Sequence, residues 1–135
     1  MTQLELPLND PKNSPPVAKD SRLHYVPKGW GYELWITNNE KYCGKILFFV
    51  KDRKCSIHKH LLKAEHFYLN SGLLLIRYGY KEDLSDLEER VLYPGEAFEV
   101  PVGMIHQMEA IQDSQLFEFS TTHYDSDSYR IQKGD

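Results

Sequence analysis

The sequence predicts an all-β protein, an antiparallel sandwich or barrel, and two observations carry that expectation. From Tyr25 onward the chain is a succession of short runs rich in aromatic and β-branched residues, the composition that suits a pleated, half-buried surface. The breaks between them carry turn residues: Asn38-Asn39, the charged run Lys51 to Lys54, Ser71-Gly72, Pro94-Gly95 and Pro101-Val102-Gly103. Helical spacing shows at Leu84, Leu87 and Val91, which allows a short helix there, inside a strongly charged segment that reads alternatively as a solvated hairpin.

Taken in order, residues 1–24 hold Pro7, Pro11, Pro15 and Pro16 among Asn, Asp, Lys and Ser, which predicts a disordered or extended arm. Leu4, Leu6 and Leu8 alternate, so the same stretch has an alternative as an edge strand added to a neighbour. Residues 25–135 form the β-domain. Strands are expected at Gly29 to Thr37, Tyr42 to Val50, Ser56 to Leu61, Glu65 to Asn70 and Leu73 to Tyr80. Lys81 to Arg90 reads as a surface loop or a turn of helix. Further strands follow at Arg90 to Tyr93, Glu96 to Val100, Ile105 to Ile111 and Gln115 to Thr121, and the polar remainder from Thr122 to Asp135 is placed over the mouth of the barrel.

A chain of 135 residues is long enough for one domain with a sizeable core. Acidic residues outnumber basic ones 20 to 16, a net charge of −4, and the basic residues form no stripe, so nucleic acid is not an expected partner. No apolar run of membrane-spanning length and no signal-peptide pattern is present, which predicts a soluble, cytoplasmic protein with no membrane partner. Cys43 and Cys55 lack metal or redox spacing and read as two reduced, buried thiols.

The chemistry concentrates in Cys55 to Gly72. Residues i and i+2 of a strand project from one face about 6.5 to 7 Å apart, so His58 and His60 can present two imidazoles to one ion. Glu65, on the next strand, can add a carboxylate. Two nitrogens and one oxygen are an incomplete shell, and His106 is the candidate for the fourth ligand.

His58-x-His60-x4-Glu65-x6-Gly72, followed by Gly95-x5-Pro101-x-Gly103-x2-His106, resembles the two motifs of the cupin superfamily in order. The second motif departs at its end, where Ala110 stands in place of the usual Asn. The resemblance implies an antiparallel double-stranded β-helix, the jelly-roll cupin barrel, with one divalent metal on His58, His60, Glu65 and His106. Within cupins, Lys28-Gly29-Trp30-Gly31-Tyr32-Glu33, Ala64-Glu65-His66-Phe67 and the segment Glu118 to Arg130 are similar to stretches of type II mannose-6-phosphate isomerases. Coverage runs from about Tyr25 to Arg130.

Such a ligand set suits Zn, Mn, Fe, Co or Ni and leaves a position open for substrate oxygens. For an aldose–ketose isomerase acting on a sugar or sugar phosphate, a base must move a proton between adjacent carbons. Glu118 is the first candidate and Glu99 the second; if Phe117 and Phe119 face the core, the two-residue period sends Glu118 outward. Arg130, Lys63 and Arg77 are the candidates for holding substrate. Two further classes fit the same ligands: another metal-dependent cupin enzyme, such as a dioxygenase or decarboxylase, and a non-catalytic sugar-binding module. A small β-barrel with open edges and an arm is expected to form a homodimer.

Overall fold

The computed structural model describes residues 23–135, so the expectation for the arm, including Leu4, Leu6 and Leu8, lies outside the described residues apart from its last two positions. Nine strands form among the described residues: β1 (His24–Lys28), β2 (Gly31–Asn38), β3 (Cys43–Phe49), β4 (Ile57–Lys59), β5 (Glu65–Gly79), β6 (Glu88–Leu92), β7 (Ala97–Val100), β8 (Ile105–Ser120) and β9 (Tyr129–Gln132). All pairings are antiparallel. The only helical turn among them is a 3-10 turn at Asp125–Asp127, and no described helix is long and apolar enough to cross a membrane.

Two expected breaks are bends within strands. The runs predicted as Glu65 to Asn70 and Leu73 to Tyr80 are one strand, β5, and those predicted as Ile105 to Ile111 and Gln115 to Thr121 are one strand, β8. These two pair with each other along nearly their whole length, with register shifts between Leu69 and Leu74. Ser71-Gly72 therefore marks a bulge, not a turn: Gly72 has φ +98°, and a Cβ there would run into the Asp113 carbonyl and Ser114. Bulges bend a strand, so each long strand serves two layers. One layer holds β1, β2, β3, the C-terminal half of β8, the N-terminal half of β5, and β7; the other holds β9, β4, the N-terminal half of β8, the C-terminal half of β5, and β6.

Other boundaries move for local reasons. The run predicted as one strand from Gly29 contains the corner of a hairpin, because β1 ends at Lys28, which pairs with Gly31. The segment before β6 contains no α-helix: Leu84 sits at φ +63°, and the Asp86 carboxylate accepts the Tyr80 and Lys81 N–H groups, which fixes a turn.

Polarity is graded along the inner faces of the first layer. One inner row runs Phe49 to Ser114, the next runs Glu33, Leu47, Leu116 and Leu69, and the next runs Trp35, Lys45, Glu118, Phe67 and Phe98. The apolar end joins Leu74, Ile76 and Leu92 in the core, with Trp30 stacked on Phe49 at 4.1 Å between ring centres. Each such fully buried side chain contributes roughly 1.5–3 kcal/mol. At the other end the same inward positions carry charge, and the barrel opens into a polar cavity there.

Candidate metal centre

His58 projects from β4, His60 from the residue just after its end and His106 from β8, and direct pairing of His58 with His106 brings the two strands together. The nearest ligand atoms of the three imidazoles lie within 4.8 Å of one another. Glu65, at the first position of β5, places Oε2 3.2 Å from His106 Nε2 and Oε1 3.7 Å from His60 Nε2. Ligands about 2.1 Å from a shared ion stand roughly 3–4 Å apart, so these separations fit a common cation.

The tautomers follow from the partners of the other ring nitrogens. His58 Nδ1 lies 2.9 Å from the Ser56 carbonyl, His60 Nδ1 2.9 Å from the Asp127 carbonyl, and His106 Nδ1 3.0 Å from the Met104 carbonyl. A carbonyl only accepts, so each Nδ1 carries its proton and each Nε2 is left with a lone pair. Burial, reinforced by the neighbouring imidazoles, holds His58 well below the usual histidine range, and burial lowers His60 to about 4. Both are neutral at physiological pH. His106 Nε2 and Glu65 Oε2 are buried without a hydrogen-bond donor although they face each other. Two acceptors 3.2 Å apart repel unless positive charge, a proton or a metal ion, lies between them, and the donor set of three imidazoles and a carboxylate fits a divalent metal.

Lys63 lies behind Glu65 and is 2% exposed. Its three hydrogens are committed, to Glu65 Oε1 at 2.8 Å, Glu118 Oε2 at 3.2 Å and His123 Nδ1 at 2.9 Å. Burial opposes the Lys63 ammonium, but Glu118 and Glu65 outweigh it and keep it charged. Burial likewise opposes the Glu65 carboxylate, but its close contact with His106 and the charge of Lys63 outweigh burial and hold it well below the usual range. Burial and then the charge of Glu65 push Glu118 upward. His123 donates its remaining ring N–H to Asp125 Oδ1 at 3.0 Å.

The site residues expected from sequence divide sharply. His58, His60, Glu65 and His106 come together. Glu118 faces inward because Leu116 and Glu118, not Phe117 and Phe119, are the buried set, yet it bonds Lys63 and is absent from the cavity wall. Glu99 is corrected: it is exposed on β7 while Phe98 and Val100 point inward. Arg77 is corrected too, since Ile76 is fully buried and Arg77 instead binds Gln107 and Glu109 at 3.0 and 2.7 Å, away from the cavity. Lys63 touches the cavity but is spent on Glu65, Glu118 and His123, so it is not a substrate clamp. Arg130 lines the cavity from β9. Cys43 and Cys55 are buried and free, and burial pushes the Cys55 thiol up to about 12, as expected of inert thiols.

Sequence reasoning missed Asp127, Glu33 and Lys45 as parts of the site. The Asp127 carboxylate accepts the Leu61, Leu62 and Lys63 N–H groups at 2.9 to 3.2 Å, which shapes the turn between the ligands of β4 and Glu65. Glu33 and Lys45 line the cavity, whose volume is about 710 Å³, with a floor that includes Trp30, Phe49 and Phe67. Their signal was the inward parity of β2 and β3, readable only once the strands were in register.

No protein-family model and no curated protein sequence matches the chain. Among solved structures it is similar to the capsular polysaccharide assembling protein CapF from Staphylococcus aureus, at 19% identity and TM-score 0.72, over 87% of this chain and 36% of that one. It is similar to an RmlC-like cupin from Shewanella frigidimarina, at 16% identity and TM-score 0.66, over 85% of this chain and 97% of that one. A single-residue variant of the oxalate decarboxylase from Bacillus subtilis matches at 14% identity and TM-score 0.71, over 90% of this chain and 34% of that one. The chain thus spans about a third of the length of the CapF and oxalate decarboxylase chains. At these identities the likeness is one of fold, and the fold is that of the cupins.

Proposed function

We propose that this chain is a metal-dependent cupin enzyme that interconverts an aldose and a ketose, free or phosphorylated. The observation that carries the metal is the convergence of three lone-pair Nε2 atoms, on His58, His60 and His106, with an ionised Glu65 whose Oε2, among the described residues, has no hydrogen-bond donor. A divalent ion held there supplies a Lewis acid for a substrate carbonyl. The carbonyls of Ser56, Met104 and Asp127 lock the imidazoles in the ligating tautomer, and Lys63 balances the Glu65 charge from behind. Trp30, Phe49 and Phe67 give the cavity lining apolar surface for a sugar ring, and Arg130 and Lys133 in the same lining offer positive charge to a phosphate. The isomerase reading rests on the similarity of the entry strand and of the segment Glu118 to Arg130 to type II mannose-6-phosphate isomerases.

The test is to strip the full chain of metal, restore Zn, Mn, Fe, Co or Ni singly, and incubate with mannose-6-phosphate, fructose-6-phosphate, glucose-6-phosphate, mannose or lyxose in heavy water. Deuterium at C1 or C2 is the expected result. The B. subtilis oxalate decarboxylase is described with Mn(II) centres, which gives a second reading a footing: absence of exchange together with carbon dioxide release or oxygen uptake would move this site to decarboxylase or dioxygenase chemistry. The homodimer expected from sequence remains part of the proposal and is read by sedimentation equilibrium.

A further inference from the structure

Among the described residues, four side-chain carboxylates line the cavity: Glu33, Glu65, Asp125 and Asp135. Three have evident duties. Glu65 faces His106, Asp125 is exposed and holds His123, and the Asp135 side chain accepts the Lys54 N–H at 2.9 Å. Glu33 is different. Its Oε1 is fixed by the Trp35 indole N–H at 2.8 Å and by Lys45 Nζ at 3.4 Å, whereas the cation beside Oε2 among the described residues is Lys28 Nζ at 3.8 Å, beyond hydrogen-bond reach. Lys45 is itself pinned over the Trp35 ring, 4.1 Å from its centre. One oxygen is anchored, and the other has no donor within hydrogen-bond distance among the described residues, on a side chain that lines the cavity.

We propose that Glu33 is the catalytic carboxylate that carries the proton between the two substrate carbons, with Trp35 and Lys45 as its positioning residues; this rests on the isomerase reading above. Glu33 Oε2 takes the proton from the carbon beside the carbonyl, that C–H electron pair forms a carbon–carbon double bond, and the carbonyl electron pair moves onto its oxygen. Glu33 then returns the proton to the former carbonyl carbon. The neighbouring hydroxyl becomes the new carbonyl as its proton passes to the other oxygen, so atoms and electrons balance without an outside reagent. Burial pushes the Glu33 carboxyl up, but Lys45 and Lys28, with the hydrogen bonds from Trp35 and Lys45, outweigh it, so the group is ionised, the form in which a carboxylate can act as a base. Glu118 is the weaker candidate, because it is ion-paired to Lys63 and does not line the cavity.

The experiment compares the metal-loaded full chain with E33Q and E33D by deuterium exchange into the sugar, metal per chain by elemental analysis, and thermal unfolding. E33Q should lose about 10² to 10⁴-fold in exchange rate with its metal content unchanged. E33D keeps the charge but withdraws it by one methylene, and should lose at least about tenfold; it decides the matter if E33Q does not fold. E99Q, on the outer face, serves as the control and should match the wild type. A folded, metal-loaded E33Q or E33D that exchanges as fast as the wild type overturns the role of Glu33 and leaves the isomerase reading intact. A wild type that exchanges no sugar with any metal overturns both.

Discussion

Asp127 and Glu33 illustrate how single side chains set this site. Asp127 satisfies the N–H groups of three consecutive residues, Leu61 to Lys63, and its own carbonyl orients His60. Removing the carboxylate in D127A leaves those donors unpaired, at a cost of about 2 to 4 kcal/mol in urea unfolding, and lowers metal affinity by about tenfold or more. An unchanged urea midpoint would refute this structural role. Glu33 gives a pH signature. Its folded pKa lies below the unfolded value of roughly 4.3, so its stabilisation is present above that unfolded value and is lost as pH falls through the lower folded one. The stability difference between wild type and E33Q should therefore be flat near neutrality and shrink in acid. A difference that grew on acidification would mean that Glu33 is not held ionised. The duties of both residues need the fold: Asp127 reaches back more than sixty residues, and Glu33, whose partners Trp35 and Lys45 are near in sequence, is recognised only once β2 is seen to line the cavity.

At the scale of elements, β5 and β8 decide the architecture. Alternation predicted strands on both sides of Ser71-Gly72 correctly, but a glycine after a serine reads equally well as a turn or as a bulge. The choice depends on β8 running alongside, where Gly72 meets Asp113 and Ser114. Two glycines separate backbone conformation from contact. Gly95 has φ +90° with open space around a would-be Cβ, while Gly72 combines φ +98° with a collision. G95A should cost about 1 kcal/mol from backbone strain alone, and G72A clearly more, on the order of 2 to 4 kcal/mol. Thermal unfolding of the two variants compares them directly; equal losses would mean that the bend at Gly72 yields easily. Parity also explains the failed assignment of Glu99 and Arg77. Each neighbours a residue that packs inward, Phe98 or Val100 and Ile76, and the period of two sends them out.

At the scale of the molecule, the site joins the two layers. His58, His60 and His106 come from one layer and Glu65 from the other, so an ion bound by all four should stabilise the whole barrel and not only a loop. Metal at about one hundred times its dissociation constant should add about 2.7 kcal/mol, visible as a rise in melting temperature that a chelator reverses. H58A and H106A should bind less metal and show little of that rise. A wild type whose melting temperature ignores every divalent ion would refute the four-ligand centre.

What the sequence determined by itself was whatever depends on spacing along one strand: the all-β class, the pairing of His58 with His60 on one face, and the motif that put Glu65 and His106 beside them. Those are properties of a repeat of two residues and of the turns that glycine and proline permit. Only the tertiary structure decided which carboxylates enter the cavity, that Lys63 is a buried counter-ion, and that the chain doubles back to let Asp127 hold the ligand loop. These depend on register between distant strands, where a shift of one residue exchanges inside for outside, and local composition carries no record of that choice.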